Sequence, residues 1–220
     1  MASVEKYAIS AVRNQLRHLD REVKNSSNPD IDRKRSALNY KLSPERKSDY
    51  LYFKKRKSEL FCMNRADVKV LAGWITTAPK ELHPEHHARF FRSTYDFLCD
   101  RYGGEQNVVS AVVHMDESGQ PHMHFLFIPV APDTNEKHWQ TEKVCAFEVL
   151  TRKELQNFHP DWGRYLREHG VYANVQSGIT LTQGGNRTVK EMKLAREREY
   201  QWQKKREHQH EHQHERELYF

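Results

Sequence analysis

The fold of this chain is decided by one stretch of eleven residues: His114-Met115-Asp116-Glu117-Ser118-Gly119-Gln120-Pro121-His122-Met123-His124. The stretch joins two strongly apolar runs, residues 108–113 and 125–128, whose β-branched and aromatic side chains are typical of buried strands. Gly119 and Pro121 prevent a helix between the runs. The pattern therefore predicts two antiparallel neighbouring strands, joined by a connection that carries functional side chains.

The three histidines of this stretch have the spacing of metal ligands. Side chains alternate along a strand, so His122 and His124 leave the same face, and His114 can face them across the pairing. Three neutral imidazoles suit manganese, iron, nickel, copper or zinc better than magnesium or calcium, which prefer oxygen. A His-x-His pair that only makes hydrogen bonds in a half-buried strand is the alternative. The third histidine and Glu117 favour the metal site.

The composition predicts one domain with an appendage. The chain has 220 residues, of which 30% are charged and 37% hydrophobic, a polar balance that indicates a solvated extension. We expect a folded domain over residues 1–185 and a charged, largely exposed helix or tail over residues 186–220. The alternating histidines at residues 208–214 are typical of low-complexity sequence rather than of a structured metal site.

Positive charge is concentrated near the N-terminus. The formal net charge is +6, while residues 31–57 alone hold ten Lys or Arg against three Asp or Glu. Aromatic residues lie among these cations, a mixture that single-stranded nucleic acid binds, although a solvated helix with packing aromatics would look the same. The residues that we expect to contact DNA are Arg33, Lys34, Arg35, Tyr40, Lys54, Lys55 and Arg56.

The cysteines and the hydropathy indicate a reducing compartment and no membrane insertion. The three cysteines lack the paired spacing of a disulfide framework or a zinc ribbon. No apolar run approaches the roughly 20 residues that a membrane span needs, and the N-terminus has no signal-peptide core. We therefore expect a cytoplasmic protein.

The N-terminal elements follow from hydrophobic spacing. Residues 7–12 predict a first strand. Leu16, Leu19 and Val23 then predict an amphipathic helix that places His18 and Arg21 together on its outer flank. His18 is either an ordinary surface histidine or a functional group presented beside a guanidinium, and the spacing leaves both interpretations open.

Further along, residues 68–77 predict a strand and residues 84–102 a helix that Gly103 and Gly104 terminate. The predicted buried face of that helix consists of Ala88, Phe91, Tyr95 and Leu98. Residues 144–150 predict another strand, and residues 151–169 a helix with a possible interruption at Pro160.

The chain resembles a known family at several separate motifs. The metal stretch is similar to the signature of plasmid mobilisation relaxases of the Mob/Pre type, the MOBV class of HUH endonucleases. A second similarity covers His18, Arg21, Asn28, Asp30, Ile31, Ser36, Leu38, Asn39 and Tyr40, which match the family's first motif in kind and spacing. Weaker agreement is found at residues 74–77, 152–155 and 188–191. The motifs occur in the family's order and cover most of the chain.

The resemblance implies an α+β HUH fold, in which a central antiparallel sheet is flanked by helices. It implies a bacterial enzyme that nicks one DNA strand at an origin of transfer beside a hairpin, stays joined to the 5′ phosphate, and later reseals the strand. His18 would be the nucleophile, and Glu117 and Arg21 would be further catalytic residues. A divalent ion, Mn2+ in the first place, would be bound by His114, His122 and His124. The ion could instead be Mg2+ or a transition metal other than Mn2+. Coupling or accessory transfer proteins are further expected partners.

The chemistry of a covalent protein–DNA intermediate supports these roles. If the strand is to be resealed later, the energy of the cut phosphodiester bond must be kept in a covalent bond to the protein. A nucleophilic side chain must therefore attack phosphorus directly. A histidine attacks through an unprotonated nitrogen, so Glu117 is expected to orient it, or else to be a fourth metal ligand. Arg21 would grip the phosphate bidentately.

Other functions remain open from the sequence. Most HUH enzymes use tyrosine, so Tyr40 and Tyr7 are alternative nucleophiles, as in an HUH replication initiator. A metal-dependent hydrolase would leave no adduct, and a DNA-binding module would keep the histidines as structural groups.

Overall fold

The computed structural model describes residues 2–22, 30–117, 119–175, 194–195 and 197–206. The chain divides into two compact units, Met1–Ser177 and Gly178–Phe220. In the second unit, residues 197–206 are helical and exposed. The predicted boundary at residues 185–186, the histidine-rich tract at residues 208–214, and Asn28 and Ser118 of the motifs lie outside the described residues.

A five-stranded antiparallel sheet forms the centre of the first unit, with strand order β1-β3-β5-β4-β2. Its strands are β1 (Ala2–Ala8), β2 (Tyr40–Lys41), β3 (Lys69–Thr77), β4 (Val108–His114) and β5 (His122–Phe127). A separate two-stranded sheet pairs β6 (Val130–Pro132) with β7 (Glu142–Val144). The predicted antiparallel pairing of the two strands around the histidine stretch is present as β4 and β5.

Five α-helices accompany the sheets in the described residues of the first unit. They are α1 (Ile9–Leu19), α2 (Asp49–Ser58), α3 (His87–Arg101), α4 (Ala146–Val149) and α5 (Arg152–Glu168). None of the described helices has the length and apolar character that crossing a bilayer requires.

The two faces of the central sheet bury two different cores. On one face, an aromatic core forms between β5 residues such as Met123 and Phe125 and helices α3 and α5. On the other face, Leu126 packs with Leu16 of α1 and Phe53 of α2. Because side chains alternate along β5, His122 and His124 share the second face, where α1 lies.

The first helix begins earlier than the sequence suggested. The predicted strand over residues 7–12 is wrong beyond Ala8, because Val12, Leu16 and Leu19 are buried together on α1 at helical spacing. The helix also ends at Leu19, so Arg21 does not lie on it. Val23, which the pattern included in the helix, lies outside the described residues.

Two other predictions need correction. Residues 144–150 are not a strand: β7 ends at Val144 and the short helix α4 follows, with Ala146 and Leu150 buried. In α3, Ala88 is exposed, and the buried face is formed by larger side chains such as Phe90 and Phe91.

The remaining helix boundaries agree with the sequence. Gly103 and Gly104 follow α3 with φ of 84° and 92°, the left-handed region that glycine tolerates best. Thr151 caps α5 by accepting from the backbone N–H of Glu154, and the helix continues through Pro160 without interruption.

Candidate active site

Three histidine rings meet at one end of the central sheet. His114, the last residue of β4, lies directly opposite His122, the first residue of β5, and His124 follows on the same face. Their ring centroids are 4.8 to 5.5 Å apart, and each ring offers a nitrogen within 4.8 Å of the others. The strand register therefore produces the convergence that the His-x-His spacing predicted.

The hydrogen bonds of these rings leave nitrogens available for a metal. His114 donates from Nε2 to the carbonyl oxygen of Leu19 at 3.0 Å, and its Nδ1 is buried with no hydrogen-bond partner in the described part of the chain. The Nδ1 of His122 lies 3.3 Å from the carbonyl oxygen of Gln120, and its Nε2 is 3.8 Å from Oε1 of Glu117. Backbone carbonyls that orient imidazoles in this way are typical of metal-binding histidines.

Burial favours the uncharged form of two of these rings, His114 and His124. Burial lowers the pKa of His114 to about 4, against a small opposing contribution from its bond to Leu19. Burial and the neighbouring imidazoles hold the pKa of His124 well below its ordinary value. Neutral imidazoles are the form that binds metals, and a set of three nitrogens with one orphaned buried atom fits a divalent transition metal.

A clamp formed by Arg21 and Asp116 fixes the chain beside this cluster. Arg21 donates from Nε and Nη2 to the two carboxylate oxygens of Asp116, at 3.0 and 2.6 Å. Asp116 is fully buried and also accepts from the Ser36 hydroxyl at 2.6 Å. Burial alone would raise the pKa of Asp116, but the hydrogen bonds from Arg21 and Ser36 hold it well below the usual range. The clamp ties the end of α1 to the loop after β4.

The clamp changes the role that the sequence suggested for Arg21. Arg21 adopts φ of 55°, an uncommon left-handed conformation for a residue with a side chain. Its Nη2 also donates to Glu117 at 2.9 Å, while Nη1 is buried without a partner among the described residues. The predicted bidentate grip on a phosphate is therefore wrong for this conformation, because the paired nitrogens already hold carboxylates.

Glu117 lies between the clamp and the three histidines. Its Oε1 accepts from Arg21 and is 3.8 Å from Nε2 of His122. With His114 and Asp116 it forms a second group of ligand atoms within 4.8 Å. Because Asp116 is committed to Arg21, the three histidines are the better set for an ion.

His18 lies beside the cluster, on the last turn of α1. Its ring is 5.8 Å from that of His124 and 6.3 Å from that of His114, centroid to centroid. Burial and the charge of Arg21 lower the pKa of His18, opposed in part by Glu117. His18 therefore lies next to the three histidines, and its functional role stays a prediction.

The two alternative tyrosines lie away from the histidines. Tyr40 pairs with Val113 and packs with it on the aromatic core, on the opposite face of the sheet. Tyr7 is on the histidine face but lies opposite Leu71, four residues along β3 from the partner of His124, which is about 13 Å at the usual strand rise. Its hydroxyl donates to Glu5.

The basic residues predicted to bind DNA fall into two places. Arg33, Lys34 and Arg35 form an exposed turn next to the clamp, where the N–H of Asp32 donates to the Asp116 carbonyl. Lys54 and Lys55 are exposed on α2, and the neighbouring Arg56 donates to Asn107, just before β4 and thus at the far end from His114. Arg56 also pairs with Glu142 and Glu59, so the protein itself occupies its guanidinium.

Sequence reasoning assigned no role to several residues of the site. Asp116, Ser36 and Asn39 stand in the motifs, but only the structure shows Asp116 clamping Arg21 and Asn39 accepting from the backbone N–H of Met115. The carbonyl of Leu19, which orients His114, carries no signal in the sequence at all.

Comparison with known proteins agrees with this geometry. The sequence pattern of the Mob/Pre family, described as plasmid recombination enzyme, matches residues 1–193. The chain belongs to the Mob/Pre family. Plasmid recombination enzymes of Bacillus thuringiensis and Lactiplantibacillus plantarum are 36% and 32% identical over 76% and 82% of this chain. These alignments cover 37% and 49% of the relatives, so the chain spans less than half the length of the curated Mob/Pre proteins it matches.

Solved structures show the same fold. The MobM relaxase domain, described as MOBV and Mob/Pre, was crystallised with Mn and plasmid pMV158 oriT DNA. Two of its structures, at pH 6.8 and pH 4.6, match with TM-scores of 0.69 and 0.70 and 28% identity, over 89% and 88% of this chain and 97% of each of those chains. The predicted α+β relaxase fold and the resemblance to MOBV relaxases are thereby confirmed.

Proposed function

We propose that this Mob/Pre protein is a site- and strand-specific DNA relaxase, which nicks single-stranded DNA at an origin of transfer and rejoins it through a covalent phosphate on His18. The observation that carries the proposal is the position of His18 beside the three histidines, on the same face of the sheet. The family assignment and the oriT DNA bound by the MobM structures support the substrate class.

The metal would be a divalent ion, Mn2+ in the first place, held by His114, His122 and His124. The nitrogen donors and the orphaned Nδ1 of His114 support this assignment, as do the Mn-bound MobM structures. Such an ion acts as a Lewis acid that neutralises charge on a non-bridging phosphate oxygen.

The nucleophile would be an unprotonated nitrogen of His18. Its lone pair forms a phosphorus–nitrogen bond, the bond from phosphorus to the 3′ oxygen breaks, and that oxygen leaves as a 3′ hydroxyl after taking a proton. Rejoining reverses these steps. The lowered pKa of His18 favours the neutral ring that this attack requires.

Glu117 and Arg21 would prepare this attack. Glu117 is proposed to accept from the other nitrogen of His18, or else to serve as a fourth metal ligand. Arg21 holds both acidic residues in place and keeps only Nη1 for a phosphate oxygen.

The DNA partner would be an origin-of-transfer strand with an adjacent hairpin. The turn Arg33–Arg35 beside the clamp is proposed as a phosphate contact, with Lys54, Lys55 and Tyr40 as outlying contacts. Coupling or accessory proteins remain expected partners of the whole mobilisation reaction.

A denaturing gel tests the proposal. The chain is incubated with Mn2+ and single-stranded oligonucleotides that tile the DNA flanking its coding sequence, with the pMV158 oriT strand as a second probe. We expect a covalent protein–DNA band that chelation of the metal prevents and that His18→Ala lacks. Cleavage without a covalent band would indicate a hydrolase, and binding without cleavage a DNA-binding module.

A further inference from the structure

A pocket at the opposite end of the central sheet from the histidines has no role in the function described so far. β3 begins at Lys69, which lines the pocket, and ends at Thr77, which lies opposite His122. At the usual rise of roughly 3.3 Å per residue, the two ends of this strand are about 26 Å apart. The cavity has a volume of about 410 Å³ and is called the β3–α4 pocket below. A ligand in it would not compete for the space at the histidine cluster.

Two segments of the chain form the walls of this pocket. The first is the connection from α2 to β3, over residues 61–69, and the second runs from β7 into α4. Backbone hydrogen bonds join the segments: the N–H of Phe61 donates to the Glu142 carbonyl at 2.9 Å, and the N–H of Val144 donates to the Phe61 carbonyl at 2.8 Å. The Phe61 ring also stacks on His138, with 3.4 Å between the ring centroids. The walls are therefore held together by the protein's own contacts.

The interior of the pocket is largely apolar, and two of its large side chains are open to water. Phe147 is 85% exposed and Met63 is 59% exposed, although both are residue types that gain from burial. Val68, Val144 and Ala146 also line the cavity. Exposed aromatic and methionine side chains in one concave place are typical of surfaces that bind another protein, and the flexible methionine adapts to the shape of a partner.

The charged groups around this interior leave a positive excess. They are four basic and two acidic side chains: Lys6, Arg65, Lys69 and Lys143, with Asp67 and Glu148. Both acids are already paired within the pocket, Asp67 with Arg65 and Glu148 with Lys143, each at 2.8 Å. Lys6 and Lys69 are exposed, and neither has a carboxylate within ion-pair distance in the part of the chain that the structure describes. Two uncompensated cations beside an apolar interior favour a ligand that is both acidic and apolar.

We propose that the β3–α4 pocket binds a protein partner through an acidic segment that carries a large apolar side chain. That side chain packs against Phe147 and Met63, and the carboxylates of the segment lie on Lys6 and Lys69. A nucleic-acid strand is the weaker candidate, because most of the uncharged lining is aliphatic and two carboxylates lie beside the cations. The pocket goes beyond the nicking function, since none of its residues lies at the histidine cluster.

The test measures binding of a fluorescein-labelled peptide, three aspartates followed by leucine and phenylalanine, by fluorescence anisotropy without DNA or metal. We expect saturable binding that is lost when lysines replace the aspartates, or when glycines replace the leucine and phenylalanine. Lys6→Ala with Lys69→Ala should weaken binding about fivefold, because exposed charge pairs each contribute little. Phe147→Ala should weaken it about tenfold, as is usual for an aromatic contact at the centre of an interface.

Matched variants control for lost charge and for lost aromatic surface. Lys34→Ala with Lys80→Ala removes two exposed lysines at the histidine end of the sheet. Tyr172→Ala removes an aromatic side chain that is 82% exposed and does not line the pocket. Both controls should bind the peptide as the wild-type chain does, and thermal melting of each variant shows that the fold is intact. No saturable binding by the wild-type chain, or equal losses in the controls, would overturn the proposal.

Cys145 offers a second measurement that is specific to this pocket. It lines the cavity and is half-buried, as is Cys62, which does not line it. Saturating peptide should slow the alkylation of Cys145 by iodoacetamide several-fold, followed by mass spectrometry, and leave the rate at Cys62 unchanged. An unprotected Cys145 in the presence of bound peptide would show that the peptide binds elsewhere and would contradict the proposal.

Two other occupants of the pocket would give different results. If a thymidine oligonucleotide protects Cys145 and displaces the peptide, the pocket is a nucleic-acid site and the proposal fails. If the chain sediments as a dimer that Phe147→Ala dissociates, the pocket is an interface between copies and the proposal also fails. Because the peptide assay contains neither DNA nor metal, its failure leaves the proposed nicking function standing, and a missing covalent adduct leaves the peptide site standing.

Discussion

On β5, Met123 and Phe125 point to one face of the sheet, whereas His122 and His124 point to the other. The first face is an aromatic core in which the buried indole N–H groups are paired: Trp74 donates to the Tyr102 hydroxyl, and Trp162 donates to the Thr94 hydroxyl. The Thr76 hydroxyl, opposite Met123, is buried on this face without a described partner. The end of the second face leaves His114 Nδ1 and Arg21 Nη1 buried without described partners.

The two faces differ in the kind of group that is left unpaired: a hydroxyl on the first face, and an imidazole nitrogen and a guanidinium nitrogen, which bind ligands, at the end of the second. Leaving buried polar groups unpaired costs free energy, so a site that keeps them is expected to gain their partners from a ligand. The left-handed backbone of Arg21 is a second local cost on the same face. Mutations on the two faces should therefore affect different measurements.

The largest expected effect is on nicking. His114→Ala, His122→Ala or His124→Ala should each lower the nicking rate by about 10³-fold or more, since a bound Lewis acid contributes several kcal/mol to the transition state. DNA affinity should change little, because phosphate contacts by Lys and Arg dominate it. Nicking that persists in any two of these variants would contradict the three-histidine site.

A mutation on the aromatic face should instead lower stability and leave the nicking rate unchanged. Phe158 is fully buried and its ring is 3.7 Å from that of Trp74, centroid to centroid. Phe158→Ala should therefore lower the free energy of unfolding by about 3 to 5 kcal/mol in a denaturant titration. The nicking rate per folded molecule should stay near wild type at a temperature where the variant is folded. A specific loss of nicking would show that the two faces are coupled.

Breaking the clamp between Arg21 and Asp116 should have a smaller effect on both the nicking rate and the free energy of unfolding. Asp116→Asn keeps the shape but removes the charge that pairs with the nearly buried Arg21, so we expect a loss of about 2 kcal/mol in stability. Nicking should also fall, since Arg21 and Glu117 lose their anchor. Asp161→Asn is the matched control, because its pairs with Arg101 and Arg164 are more exposed and should contribute about 1 kcal/mol or less. Equal losses in the two variants would argue against a special role for the clamp.

The sequence predicts the part of this site that depends on strand periodicity. Alternation along β5 and an apolar run before His114 were enough to bring the three histidines together, and β3, β4 and α3 followed from their apolar runs. The first helix was harder, because residues 9–12 are short and apolar and suit a strand as well as a helix. Only burial against the sheet decides between them.

The rest of the site depends on contacts that no local pattern contains. The separation of Tyr40 from the histidines follows from its register with Val113, and the clamp joins residues 95 positions apart in the chain. The left-handed conformation of Arg21 likewise has no counterpart in the local sequence pattern. Sequence spacing therefore predicted that the three histidines come together, but it placed Arg21 on a helix that ends at Leu19.

The most direct test of the account is the chemical identity of the protein–DNA bond. A phosphorus–nitrogen bond to histidine is labile in acid and stable in alkali, whereas a tyrosine phosphate ester tolerates acid. We predict that brief acid treatment releases the DNA, that His18→Ala forms no adduct, and that Tyr7→Phe and Tyr40→Phe both keep it. An acid-stable adduct that disappears in Tyr40→Phe would contradict the histidine mechanism and would require that tyrosine to reach the opposite face of the sheet.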